Sequence, residues 1–144
     1  MRLEPLCALD LKYVGGVHLA RPYGNESGLA WGVGEGTATG ERLSGKARWS
    51  NHPRRRGDGA MLPNARGIIT TGEDAEVLFD LTGRTVWIER GSEKVGRQLL
   101  MTLFESADER YAWLNNTVCI SEGVINPETG VIHIEVNLCT SELV

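Results

Sequence analysis

Cysteine is scarce: Cys7, Cys119 and Cys139 are the three thiols in 144 residues. An odd number without a close pair argues against a disulfide framework and lacks the tight spacing of a zinc site. Three small buried hydrophobes in a reducing compartment is the reading that follows, and a cytoplasmic location is expected. Positive charge is not in excess either. Lys and Arg number 15 against 19 Asp and Glu, a net charge of −4. That balance argues against nucleic acid as a partner, because a non-specific binder carries a broad basic face. No run approaches the ~18 consecutive apolar residues of a membrane span. The amino terminus, MRLEPLCALDLKYVGG, lacks the basic start and long apolar run of a signal peptide. No membrane partner is expected, and the sequons at Asn25 and Asn115 carry no meaning without secretion.

Other absences concern chemistry. There is no P-loop, no Gly-x-Ser-x-Gly elbow and no His-Glu-x-x-His. Gly34-x-Gly36 followed by Gly40 is not a dinucleotide fingerprint, since no helix follows it. His18, His52 and His133 are scattered, so no metal site is expected, and no cofactor is expected. No stretch keeps a long 3.6-residue period, and there is no internal repeat, low-complexity tract or linker. The length suits one domain spanning residues 1–144.

Glycine, by contrast, is abundant, with 18 residues placed between short apolar runs. That is strand-and-turn punctuation. LCALDLKYV ends at Gly15-Gly16. GLAWGVGEGTATG carries Trp31, Val33, Glu35 and Thr37 on one parity and Gly32, Gly34 and Gly36 on the other, which suggests sharp coiling or close backbone approach. AEVLFDLTG, TVWIERG, TVCISEGVI and VIHIEVNLCT read as strands, the last two joined by a turn over Asn126-Pro127-Glu128-Thr129-Gly130. RQLLMTLFES fits a helical turn or a buried strand equally well. SADERYAWLNN reads as a turn leading into a strand. Eight to ten short strands at this spacing predict an all-β fold, a single closed or nearly closed antiparallel β-barrel with little helix.

In a barrel alternate residues face the lumen, so polar faces opposite apolar ones point either to solvent or to a cavity. His133, Glu135 and Asn137 are expected in solvent. Asn64 with Arg66, and Tyr111 with Trp113 and Asn115, are candidates for a cavity. The stretch WSNHPRRRGDG is a loop by its His-Pro bond and its Gly57-Asp58-Gly59 turn. It places Arg54, Arg55 and Arg56 beside Trp49, His52 and Asp58. Guanidinium pairs bidentately with carboxylate or phosphate and keeps its charge at neutral pH. One of the three arginines is therefore expected to serve a cavity. His52 is a candidate general acid or base. Arg66 needs a partner if it is buried, and Glu76, Asp80, Glu105 and Glu122 are the candidates.

GEGTATGERLSGKARW, RGDGAMLPNARGIITTGEDAEVLFDLTGR and FESADERYAWLN together resemble the bacterial domain of unknown function 3237 family, from about Leu11 to the carboxyl terminus. The specific pieces are Trp49, Arg56-Gly57-Asp58-Gly59, Arg66, Phe104-Glu105, and Tyr111 with Trp113, Leu114 and Asn115. The resemblance implies a small β-barrel, often oligomeric, of no settled general activity. Members often carry an acidic residue just before the tryptophan, where this chain has Arg48.

The expectation is a barrel that binds a small anionic aromatic or polyketide-like molecule and converts it, if at all, without a cofactor. Isomerisation, cyclisation, hydration and lyase chemistry suit the set. Trp49, Tyr111 and Trp113 would stack on the ligand, with His52 and Asn115 beside them. Arg56 and Arg66 would hold its anion, and Asp58, Glu105 or Glu122 would orient the arginines or move a proton. The rival reading is a non-catalytic oligomer docking on an acidic partner through the Arg54–Arg56 loop.

Overall fold

The computed structural model describes residues 1–20 and 28–144. The sequon at Asn25 lies outside them. Eight long strands close into an antiparallel barrel. In chain order they are β1 (Arg2–Leu19), β2 (Gly28–Thr39), β3 (Gly45–Asn51), β6 (Asn64–Thr71), β7 (Glu76–Arg90), β8 (Glu93–Glu105), β9 (Cys119–Ile125) and β10 (Val131–Thr140). Each pairs with the next, and β10 returns to β1. The two short central strands, β3 and β6, stop before β2 and β7 do. A small hairpin, β4 (Arg54–Arg55) and β5 (Met61–Leu62), extends the wall there, pairing with β2 and β7. Closure leaves no long unpaired edge among these eight strands, which suits strands as apolar as these. Among the described residues no helix is long and apolar enough to cross a membrane.

The glycine parity of β2 faces inward, and two aromatic rings explain it. A Cβ on Gly32 would stand 2.7 Å from the Tyr13 ring, and one on Gly34 2.5 Å from the Trp49 indole. The bare backbone thus gives Tyr13 and Trp49 room to pack edge to face, with centroids 4.5 Å apart. Leu9, Ile69, Val77 and Ile134 fill the middle of the barrel and are almost wholly buried.

One open choice is settled and two local expectations change. RQLLMTLFES is strand β8, because Gln98, Leu100, Thr102 and Phe104 alternate inward with a period of two. Residues Gly15 and Gly16 do not end β1; with φ of +78° and +77° they form an irregularity, and pairing with β2 resumes at Val17. The YAWLN segment is not a strand. Ala112–Asn116 form a 3₁₀ helix, closed by Leu114 N–H donating to Tyr111 O and Thr117 N–H to Leu114 O. Tyr111, Trp113 and Asn115 therefore share no strand face, and the residue driven inward is Leu114, which is fully buried. This helix plugs one end of the barrel, where Leu43 and Phe104 also lie.

Candidate functional site

Among the described residues nothing fills the opposite end. A cavity of about 200 Å³ lies there, bounded by Tyr13, Val17, Asn51, Pro53, Met61, Pro63, Thr85, Trp87, Gln98, Ile125, Pro127 and Gly130. Alternation brings Thr85 and Trp87 of β7 to the inside, with Gln98 across from Thr85 on β8. A void of about 20 Å³ continues beneath, touching Trp49, Asn51 and Gln98. The size falls below the roughly 300 Å³ typical of drug-sized sites, so any occupant is small. Ile125 ends β9 and Pro127 and Gly130 lie in the β9–β10 turn, while Pro53 immediately precedes β4 and Met61 opens β5.

The deep polar groups are few and ordered. Asn51 Nδ2 donates to Tyr13 Oη at 2.9 Å, and Asn51 Oδ1 accepts the Asn64 N–H at 2.9 Å. A backbone N–H can only donate, so the second bond sets which end of the Asn51 amide faces Tyr13. Gln98 Nε2 donates to Thr85 Oγ1 at 3.1 Å. Gln98 is 7% exposed, and its Oε1 is buried with no hydrogen-bond partner among the described residues. An orphaned buried acceptor costs about 1–3 kcal/mol. Burial raises the Tyr13 pKa against the opposing effect of the Asn51 bond, so the phenol keeps its proton and acts as a donor. Among the described residues bounding the cavity, none is Asp, Glu, Lys, Arg or His.

The residues expected from the sequence lie elsewhere. Arg66 is on the outer wall, its side chain 80% exposed, and pairs with Asp80 at 3.0 Å directly across β6–β7. Glu105 is exposed and flanks the same outer depression as Arg66. Glu122 is exposed and faces Leu99 and Glu135 in neighbouring strands. Arg56 forks onto Asp58 through Nε at 3.1 Å and an Nη at 2.6 Å. That hydrogen bond, with one from the Ala60 N–H, lowers the Asp58 pKa. The pair thus closes the β4–β5 turn and does not line the cavity. Arg54 and His52 are exposed and Arg55 half-buried; none bounds the cavity.

At the plugged end, Tyr111 donates to Glu73 at 3.1 Å, and Trp113 lies under the Arg42 guanidinium at 3.7 Å. Asn115 exchanges two hydrogen bonds with the Ser106 backbone, bracing the loop before the helix. Trp49 is buried against Tyr13 and touches the small void, so it alone of the expected set reaches the open end's interior. His133 faces solvent as expected, bridging Asp10 at 2.6 Å and Glu135 at 2.7 Å. The Asp10 bond, then the Glu135 bond, raise its pKa. Among the described residues no three His, Cys, Asp or Glu side chains converge as a metal site.

The model of the family described as Protein of unknown function (DUF3237) matches residues 1–138. The chain belongs to this family. Among curated proteins none matches significantly. Among solved structures, a β-barrel-like protein from Acinetobacter baumannii AYE is similar with a TM-score of 0.85 at 16% identity, over 95% of this chain and 94% of that one. A protein of unknown function from Clostridium acetobutylicum is similar with a TM-score of 0.82 at 14% identity, over 97% and 100%. An enzyme from Penicillium herquei is more distant, with a TM-score of 0.62 at 17% identity, over 94% and 98%. Likeness at such identities establishes a shared fold, and the fold alone.

Proposed function

We propose that this protein binds a small, uncharged and mainly apolar molecule in the cavity at the open end of the barrel. The observation that carries the reading is the lining: mainly apolar walls, without an ionised group among the described residues, over a floor holding a braced phenol and the hydrogen-bonded Thr85–Gln98 pair. A few placed polar groups in an apolar concavity are the usual make-up of a small-molecule site. An anionic ligand fits poorly, since burying a charge without a counter-charge costs several kcal/mol and Arg56 and Arg66 are both held outside the cavity. As a catalyst the site would act by polarisation. Tyr13 is a hydrogen-bond donor, and among the described residues no carboxylate or imidazole bounds the cavity to take a proton. Cofactor-independent isomerisation or cyclisation of a bound carbonyl compound would draw on that donor and not on the arginines.

The test is a titration with naphthalene as a neutral probe, read by tryptophan fluorescence, since Trp87 forms part of the wall. Naphthalene binds the wild type, and Ile125→Trp, which fills the cavity, removes binding. Equal binding by the filled variant overturns the reading.

Assembly is a second and separate proposal. Leu99, Met101 and Ile120 stand exposed on the outer wall of β8 and β9, an apolar strip of the kind that marks interfaces. Arg84 flanks it on β7 and Glu135 on β10, in register with Leu99 and Glu122. A two-fold axis along the β8–β9 seam sets the arginine of one copy against the glutamate of another, so a second copy of this chain is the occupant. Docking on an acidic partner through the Arg54–Arg56 loop is less favoured, because Asp58 occupies Arg56.

A further inference from the structure

Resting on the reading of the open-end cavity as a ligand site, we infer that Gly96 sets the size of ligand the site accepts: because position 96 carries no side chain, the cavity takes a molecule larger than a single aromatic ring. Gly96 is a buried residue of β8, paired with Trp87 of β7 on one side and Ile125 of β9 on the other. Thr85 precedes Trp87 by two residues and shares its face. Trp87, Ile125 and Thr85 all bound the cavity, and all three lean over the bare backbone of Gly96. A Cβ at Gly96 would stand 2.5 Å from Ile125 Cγ2, 2.7 Å from Thr85 Cγ2 and 3.0 Å from Trp87 Cζ3, well inside the roughly 3.5–4.0 Å of ordinary carbon contact. Gly96 is thus a positioning residue: it acts through three wall side chains that reach the ligand space.

Backbone conformation does not demand glycine here. Gly130, which also bounds the cavity, has a φ of +71° that its turn requires, whereas Gly96 is not among the positive-φ residues. A glycine inside a strand weakens it, so what position 96 contributes is space. None of its neighbours yields easily to a side chain. Ile125 and Thr85 are β-branched and stiff at χ1, and Trp87 Cζ3 belongs to a rigid ring. Strand pairing holds β7 and β9 on either side, so the direction left for displaced side chains is the lumen. An apolar cavity of about 150 Å³ holds one benzene ring, and the cavity here is about 200 Å³. A methyl group at position 96, with three side chains turned inward by it, consumes that margin.

The experiment titrates benzene and naphthalene separately and reads the ratio of their affinities. On the wild type, naphthalene binds about tenfold more tightly than benzene, through the extra apolar area it buries. Gly96→Ala weakens naphthalene about tenfold and benzene by less than about threefold, so the preference is lost. A change that merely loosened the fold would leave the ratio where it was. Ile125→Ala removes the nearest of the three neighbours, and adding Gly96→Ala to that variant keeps the ratio within about twofold of its parent. Circular dichroism confirms that each variant is folded. If Gly96→Ala alone does not fold, Gly96→Val is placed in the Ile125→Ala background, where the crowding returns and naphthalene again falls about tenfold. An unchanged preference in the crowded variant, or an equal loss of both probes, overturns the role of Gly96 while the cavity reading stands. If neither probe binds the wild type, or Ile125→Trp binds both as the wild type does, the cavity reading falls and this inference with it.

Discussion

At the plugged end of the barrel Leu43, Phe104 and Leu114 are each at most 1% exposed, whereas at the open end Tyr13, Thr85 and Gln98 surround empty space. Both ends are built from the same strands with the same alternation. The difference lies in what the inward positions carry and in what is laid across the mouth. At one end a 3₁₀ helix drives Leu114 into the lumen and the interior becomes core. At the other, the described proline and glycine turns bound the cavity without filling it, and polar and aromatic residues stand inward among the apolar ones. One end is filled with apolar core, while beside the cavity at the other an amide oxygen, Gln98 Oε1, stays without a partner among the described residues.

The largest test of that division is at the plug. Leu114→Ala is expected to cost about 2–5 kcal/mol, lowering Tm by on the order of 10 °C in a thermal melt. A loss below about 1 kcal/mol would mean that the helix rests on the barrel without holding it. The buried thiols of the same half give a pH signature. Burial pushes Cys7 up to about 12 and Cys119 up to about 11, from an ordinary 9.0. A raised folded pKa means full stability below pH 9 and loss as pH climbs towards 11 and 12. In that window each thiol costs about 1.4 kcal/mol per pH unit, measurable as a falling urea midpoint. The Cys7→Ala, Cys119→Ala double variant flattens that limb.

The open end should behave oppositely. Gln98→Leu removes an orphaned acceptor while freeing Thr85, so stability is expected to move by no more than about 1 kcal/mol in urea denaturation. Smallest of all is Arg66→Met. The Arg66–Asp80 pair is exposed, and its loss is expected to shift stability by less than about 1 kcal/mol and to leave probe binding unaltered. Abolished binding in that variant would return the site to the arginines and reverse the assignment of the two ends.

Much of the architecture was legible in the residues. Glycine and proline punctuation predicted turns such as that over Asn126–Gly130, but Gly15-Gly16 and Gly83, read as strand ends, lie inside β1 and β7; period-two alternation predicted strands with one apolar face in β7 and β10. The glycine row of β2 announced a close approach, which proved to be Tyr13 and Trp49. Asp80 was among the partners expected for Arg66, but the pair formed outside. The cavity residues gave weak signals. Asn51 sits beside the more conspicuous His52, and Thr85 and Gln98 look like ordinary polar residues of half-exposed strands. Charge drew attention to Arg56, Asp58 and Glu122, and charge is what solvent-facing positions carry.

From the chain alone came the all-β class, the antiparallel strands and the single barrel, because alternation and turn chemistry act between near neighbours in sequence. Only the folded barrel decided which of two alternating faces became the inside, which end was stoppered and where space remained. Those choices depend on joining β1 to β10 and on seating Leu114 in the lumen, contacts between residues far apart in sequence that no local pattern encodes.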